Sequence, residues 1–129
     1  MTDGSGEQVR LTMPATPQLL RVARLTAAGL ASRLGFSFDQ VEDLKIAVDE
    51  VCFAMVGTKG GEGSLTIDYR LEHDGLVIEG LSDSLPPVSR DGNDELSDLI
   101  LTAVVDEHEV SLRDGIMRFR LLKRRTASP

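Results

Sequence analysis

Residues 37–56 read SFDQVEDLKIAVDEVCFAMV, and this stretch decides the fold. Ser37 followed three residues on by Gln40 has the spacing of a capping box, with Ser at the N-cap and Gln at the third helical position. From there Val41, Leu44, Val48, Val51, Cys52 and Met55 recur at three- and four-residue steps, the period of one buried helix face. The spacing predicts a helix that ends near Val56-Gly57, followed by a flexible loop over the glycine-rich residues 59–63.

Upstream, Val9 to Met13 alternates apolar and polar residues, the period of a half-buried strand, and Pro14 closes it. Thr16-Pro17 then reads as a helix start, Thr16 at the N-cap and Pro17 in the first turn. Leu20, Ala23, Ala27, Leu30, Ala31 and Leu34 form one helical stripe, and Gly35 stands where a helix end wants a positive φ. Downstream, Leu65 to Leu71 alternates, His73-Asp74-Gly75 supplies a turn, and Leu76 to Leu81 is mostly apolar, so the pair reads as a hairpin. Ser82 to Asn93 reads as loop. Leu96, Leu99, Ile100, Ala103 and Val104 mark a third, shorter helix. Glu109 to Leu112, the turn Arg113-Asp114-Gly115, and Ile116 to Leu121 make a second hairpin. The order strand, helix, helix, strand, strand, helix, strand, strand predicts an α+β two-layer sandwich: a mostly antiparallel sheet of about five strands with three helices on one face.

At 129 residues the chain fits one domain, here residues 9–125 between a polar tail over 1–8 and a short tail over 126–129. With 41% apolar residues it can supply a core without disulfides. The single cysteine forms no intramolecular disulfide, which fits a reducing cytoplasm, and no apolar run is long enough to span a bilayer. The net charge of −7 argues against a nucleic-acid partner, because phosphate binding wants a clustered positive field. The one basic cluster, Lys123-Arg124-Arg125, reads as a solvated tail after the last strand. Cys52 falls in the core stripe and reads as a small buried hydrophobe, and Asp49 as an exposed or capping charge. His73 and His108 lack the spacing of a metal site.

The segment Asp43-Leu44-Lys45-Ile46-Ala47-Val48-Asp49-Glu50-Val51-Cys52, the preceding Leu34-Gly35-Phe36 and the C-terminal hairpin Val110 to Leu121 resemble the anti-sigma-factor serine kinases (RsbW-like) of the GHKL superfamily, which have a histidine kinase-like ATPase fold. The resemblance runs from Val9 to Arg125. It implies that Glu50 stands where active members carry a Glu that orients or deprotonates the attacking hydroxyl. Four residues on, where the family carries an Asn that holds Mg²⁺, this chain has Ala54. Residues at i and i+4 share a helix face, so that spacing places a carboxylate beside a metal-holding amide oxygen. The adenine-binding Asp of the family matches Asp83 or, shifted by one, Ser82, and the glycines that follow it there are replaced by Ser84, Leu85 or the prolines Pro86 and Pro87. The phosphate-cradling turn of the family matches Asn93 to Asp98, which contains no glycine and carries Asp94, Glu95 and Asp98.

These departures imply a protein that has lost ATP and Mg²⁺ and regulates by contact in bacterial transcription and stress control. Its partners by the same resemblance are a sigma factor, an anti-anti-sigma protein of the STAS type, or both, and the chain is expected to form a homodimer. Arg21, Arg24 and Arg33 on the first helix are the candidate partner contacts. The alternative is an active ATP-dependent serine-protein kinase using Glu50 with divergent metal ligands.

Overall fold

The computed structural model describes residues 7–56, 63–83 and 93–125. Its elements are β1 (Gln8–Pro14), α1 (Leu20–Arg33), α2 (Phe38–Val56), β2 (Ser64–Leu71), β3 (Gly75–Ser82), α3 (Asn93–Val104), β4 (Glu107–Arg113) and β5 (Ile116–Arg124). The five strands form one antiparallel sheet in the order β1-β2-β3-β5-β4, so the α+β sandwich is observed as expected. β1 begins at Gln8, one residue inside the stretch read as tail, and the carbonyl of Glu7 already accepts from the Leu71 N–H at 2.9 Å. The rest of that tail, 1–6, the loop over 59–62 and the tail 126–129 lie outside the described residues.

Local chemistry explains most boundaries. The Ser37 N–H donates to Gln40 Oε1 at 3.0 Å, and the Gln40 N–H donates to Ser37 Oγ at 3.2 Å, which is the reciprocal capping box. Gly35 ends α1 at φ 84°. Asp114 and Gly115 take φ 56° and 77°, the two positive angles a type I′ hairpin demands. Thr16 departs from expectation. It is extended (φ −119°, ψ 139°) as an N-cap should be, but makes no side-chain cap, because Pro17–Leu19 form a 3₁₀ turn before α1 begins at Leu20.

The inner sheet face and the helices share one core. Leu65, Ile67, Tyr69 and Leu71 of β2, Leu76 and Ile78 of β3, and Met117, Phe119 and Leu121 of β5 are buried against Leu44, Val48, Val51, Cys52 and Met55 of α2. Four buried side chains of α1 belong to the same core: Leu20, Ala23, Ala27 and Ala31. Tyr69 carries its hydroxyl into the core and donates to the carbonyl of Ala23 at 2.9 Å, which satisfies it and ties β2 to α1. Burial raises its pKa above that of an ordinary phenol.

The third helix corrects the sequence reading. Of the stripe Leu96, Leu99, Ile100, Ala103 and Val104, only Val104 is buried. Leu96 and Leu99 are 57% and 66% exposed, and Leu101 joins Val104 in the core. Residues 99–105 are apolar but for Thr102, so two stripes overlap on this helix and packing against the sheet and α2 chooses between them.

Candidate functional site

The capping box fixes where α2 starts and so fixes the phase of everything on it. Glu50 and Ala54 lie one turn apart and are both half-buried. The carboxylate of Glu50 makes no hydrogen bond or ion pair among the described residues. Exposed Ile46 and Phe53 flank it at helical spacing. Asp49, one residue back, accepts from Arg24 Nη1 at 2.9 Å and so joins α2 to α1. Its side chain is 41% accessible, in keeping with the exposed charge anticipated, and the pairing with Arg24 is what the sequence did not announce.

At the far end of β3 the pleat settles which residue faces inward. Leu76, Ile78, Gly80 and Ser82 share the inner face, and Ser82 is fully buried. Asp83 turns the other way and is exposed. Its Oδ1 accepts from the Ser64 backbone N–H at 2.7 Å and its Oδ2 from Ser64 Oγ at 3.4 Å, while its own N–H donates to the Ser64 carbonyl at 3.2 Å. Asp83 thus clips the end of β2 to the end of β3. The segment 84–92, which contains Ser84, Leu85, Pro86 and Pro87, lies outside the described residues, as do the side chains of Asn93 and Asp94.

The resemblance expects a metal-holding oxygen one turn from Glu50 and a carboxylate at the adenine position. Ala54 has no oxygen, and Asp83 has committed both of its oxygens to Ser64. Glu95 and Asp98 add exposed negative charge to the first half of α3. Among the described residues no group of three or more His, Cys, Asp or Glu side chains is arranged to hold a metal ion.

The comparisons with known proteins agree on a kinship. A protein of Halalkalibacterium halodurans described as serine-protein kinase RsbW is 29% identical over 131 residues, covering 86% of this chain and 80% of its own length. RsbW kinases of Bacillus cereus and Listeria innocua are 39% identical over 74 residues and 40% over 75, in each case 56% of this chain. The chain is thus similar to RsbW kinases in sequence, and the α+β sandwich agrees with that likeness. It spans 46% and 48% of the Bacillus cereus and Listeria innocua relatives, and no family model matches it.

On this RsbW-like chain the three candidate arginines of α1 are not equivalent. Arg24 is held by Asp49, and Arg33 donates from Nη1 to Glu7 Oε2 at 2.5 Å. Arg21 is exposed and makes no ion pair among the described residues. The cluster Lys123-Arg124-Arg125 is also built in and is not a solvated tail. Lys123 Nζ donates to the Val104 carbonyl at 2.7 Å, Arg124 N–H to Asp106 Oδ2 at 2.7 Å, and Arg125 Nη1 to the Leu34 carbonyl at 3.1 Å. Lys123 and Arg125 therefore satisfy orphan carbonyls at the C-terminal ends of α3 and α1, where the helix dipole also favours a cation. His108 meets Asp98 at 2.7 Å and so ties β4 to α3. No local signal in the sequence announces these long-range contacts.

Cys52 is fully buried in α2, as its place in the stripe predicts, and desolvation followed by the charge of Asp49 pushes its thiol up to about 12. No helix among the described residues is long and apolar enough to cross a membrane.

Proposed function

We propose that this chain regulates as anti-sigma proteins do, by docking a sigma factor, an anti-anti-sigma protein of the STAS type, or both, and that it neither holds ATP–Mg²⁺ nor transfers phosphate. The observation that carries this reading is Ala54. The helix places it one turn beyond Glu50, on the face where a kinase of this family needs a metal-holding amide, and a methyl group donates no lone pair. The commitment of Asp83 to Ser64 supports the same conclusion. Glu50 by itself is a carboxylate without a metal to arrange the phosphates around it.

The docking surface in this reading is the exposed side of α1 with Arg21 at its centre, beside the exposed apolar residues Val22 and Leu25. Arg24 and Arg33 contribute there only after releasing Asp49 and Glu7. Two copies of the chain are expected to assemble, and the setting is the bacterial cytoplasm. Calorimetric titration of the chain with ATP and Mg²⁺ checks the first half: no measurable heat is expected, and micromolar binding overturns it. For the second half, a purified sigma factor from the same genome should bind the chain and lose affinity on Arg21→Glu, with the melting temperature unchanged.

A further inference from the structure

A second surface, at the β4 edge of the sheet, has the construction of a peptide site. Among the described residues β4 is an edge strand that pairs with β5 only. The two-residue turn Asp114-Gly115 makes Arg113 and Ile116 the closing hydrogen-bonded pair. Counting back by twos, Ser111, Glu109 and Glu107 bond to β5, while Leu112, Val110 and His108 turn their N–H and C=O groups outward. Alongside that edge runs a groove of about 360 Å³ between β4 and α3, lined by Ser97, Asp98 and Leu101 on one side and by His108, Val110 and Leu112 on the other. Leu112 is 58% exposed, and Leu96 and Leu99 stand exposed on the same helix.

We propose that this groove takes an extended, basic segment of a partner protein, which adds to β4 as a sixth strand. The extended form follows from the outward-facing backbone row, which a helix cannot satisfy. The basic character follows from the charges left unanswered here. Glu95 and Glu109 are exposed and have no cationic partner among the described residues, and Asp98 has only His108. Glu107, by contrast, is answered by Arg120 and Arg124. Alternate residues of an added strand point to one face, so apolar side chains would enter the groove toward Val110, Leu112 and Leu101 while lysines or arginines meet the acidic rim. A second copy of this chain fits less well. Antiparallel pairing of two β4 strands about a dyad leaves both α3 helices on the same side of the seam, where Glu95 and Asp98 of each copy face like charge. The proposal is independent of the α1 surface and stands whether or not ATP binds.

The test uses the full chain, ¹⁵N-labelled, titrated with the peptide acetyl-(Lys-Val)₄-amide and with its (Glu-Val)₄ counterpart. Shift changes are expected at His108, Val110, Leu112 and along α3 with the basic peptide only. Affinity should fall about tenfold for the doubly reversed variant Glu95→Lys/Glu109→Lys, whose positions are exposed and leave the core intact. Val110→Pro removes an outward N–H without touching the β5 ladder, and it should abolish binding. Absence of shifts at millimolar peptide, shifts confined to β1 or α1, equal binding of the acidic peptide, or unchanged affinity of the charge-reversed variant overturns the proposal. Concentration-dependent shifts at β4 in the free chain would assign the edge to a second copy instead.

Discussion

Replacing Gly80 by alanine should overpack the core of this protein at the centre of the sheet. Gly80 lies on the inner face of β3 directly opposite Phe119 of β5, and the Phe119 ring occupies the space that a side chain at 80 would need. A Cβ built at Gly80 falls 2.1 Å from Phe119 Cε2, 2.6 Å from Cζ and 2.7 Å from Cδ2. Carbon atoms sit comfortably at about 3.5–4.0 Å, so the ring must retreat by more than about 1 Å. Phe119 is only 3% exposed, in a core shared with Leu101 and Met117, so its retreat displaces packed neighbours. Overpacking of this kind costs about 2–3 kcal/mol, which for a domain of this size lowers Tm by roughly 6–12 °C. Phe119→Leu alone should cost about 1–2 kcal/mol for lost buried surface. The double variant Gly80→Ala/Phe119→Leu should then be less destabilised than the sum by about 1–2 kcal/mol, because the smaller side chain yields the space. Urea unfolding followed by far-ultraviolet circular dichroism measures all three against the parent, with the m-value expected to stay constant. Strict additivity, or a Gly80→Ala loss under about 0.5 kcal/mol, would refute the claim that ring and glycine are fitted to each other.

Three further outcomes are expected. Lys123→Met leaves the Val104 carbonyl without its donor and Asp43 without its cation, and should lower the urea-derived stability by about 1–2 kcal/mol; no loss would mean that water caps α3 equally well. The Cys52 thiol, pushed up to about 12, should resist alkylation at pH 8 in the native chain and react only as fast as the chain opens in urea, so rapid labelling without denaturant would contradict its burial. The Arg10 guanidinium, by hydrogen bond and charge, holds the Asp68 carboxyl below the usual carboxylate range, so its contribution is complete above the unfolded value near pH ~3.9 and is lost as pH falls through the lower folded value. Asp68→Asn should accordingly flatten the acid limb of the stability profile below about pH 4, and an unchanged limb would remove Asp68 from the acid response.

The candidate site was legible in part. Glu50 and Ala54 could be placed from sequence because a capping box sets the phase of α2 and every later residue inherits it. Asp83 could not, because a slip of one residue exchanges the faces of a strand, and only the pairing of β3 with β5 shows that Ser82 faces inward while Asp83 reaches Ser64. The arginines of α1 looked alike in sequence. Arg24 and Arg33 lost their independence to Asp49 and Glu7, 25 and 26 residues away, beyond the reach of any local pattern.

Taken alone, the sequence determined the elements and their class, since periods of 3.6 and 2, a Ser37–Gln40 box, Gly35 at positive φ and the Asp114-Gly115 turn are short-range properties of neighbouring residues. Tertiary structure decided which of two apolar stripes on α3 is buried, where Lys123 and Arg125 find carbonyls, and that β4 ends the sheet with a groove beside it. These outcomes depend on the strand order β1-β2-β3-β5-β4, which joins residues far apart in the chain. Chain closure over such distances is settled by the whole core burying itself at once, a free energy that no single segment carries.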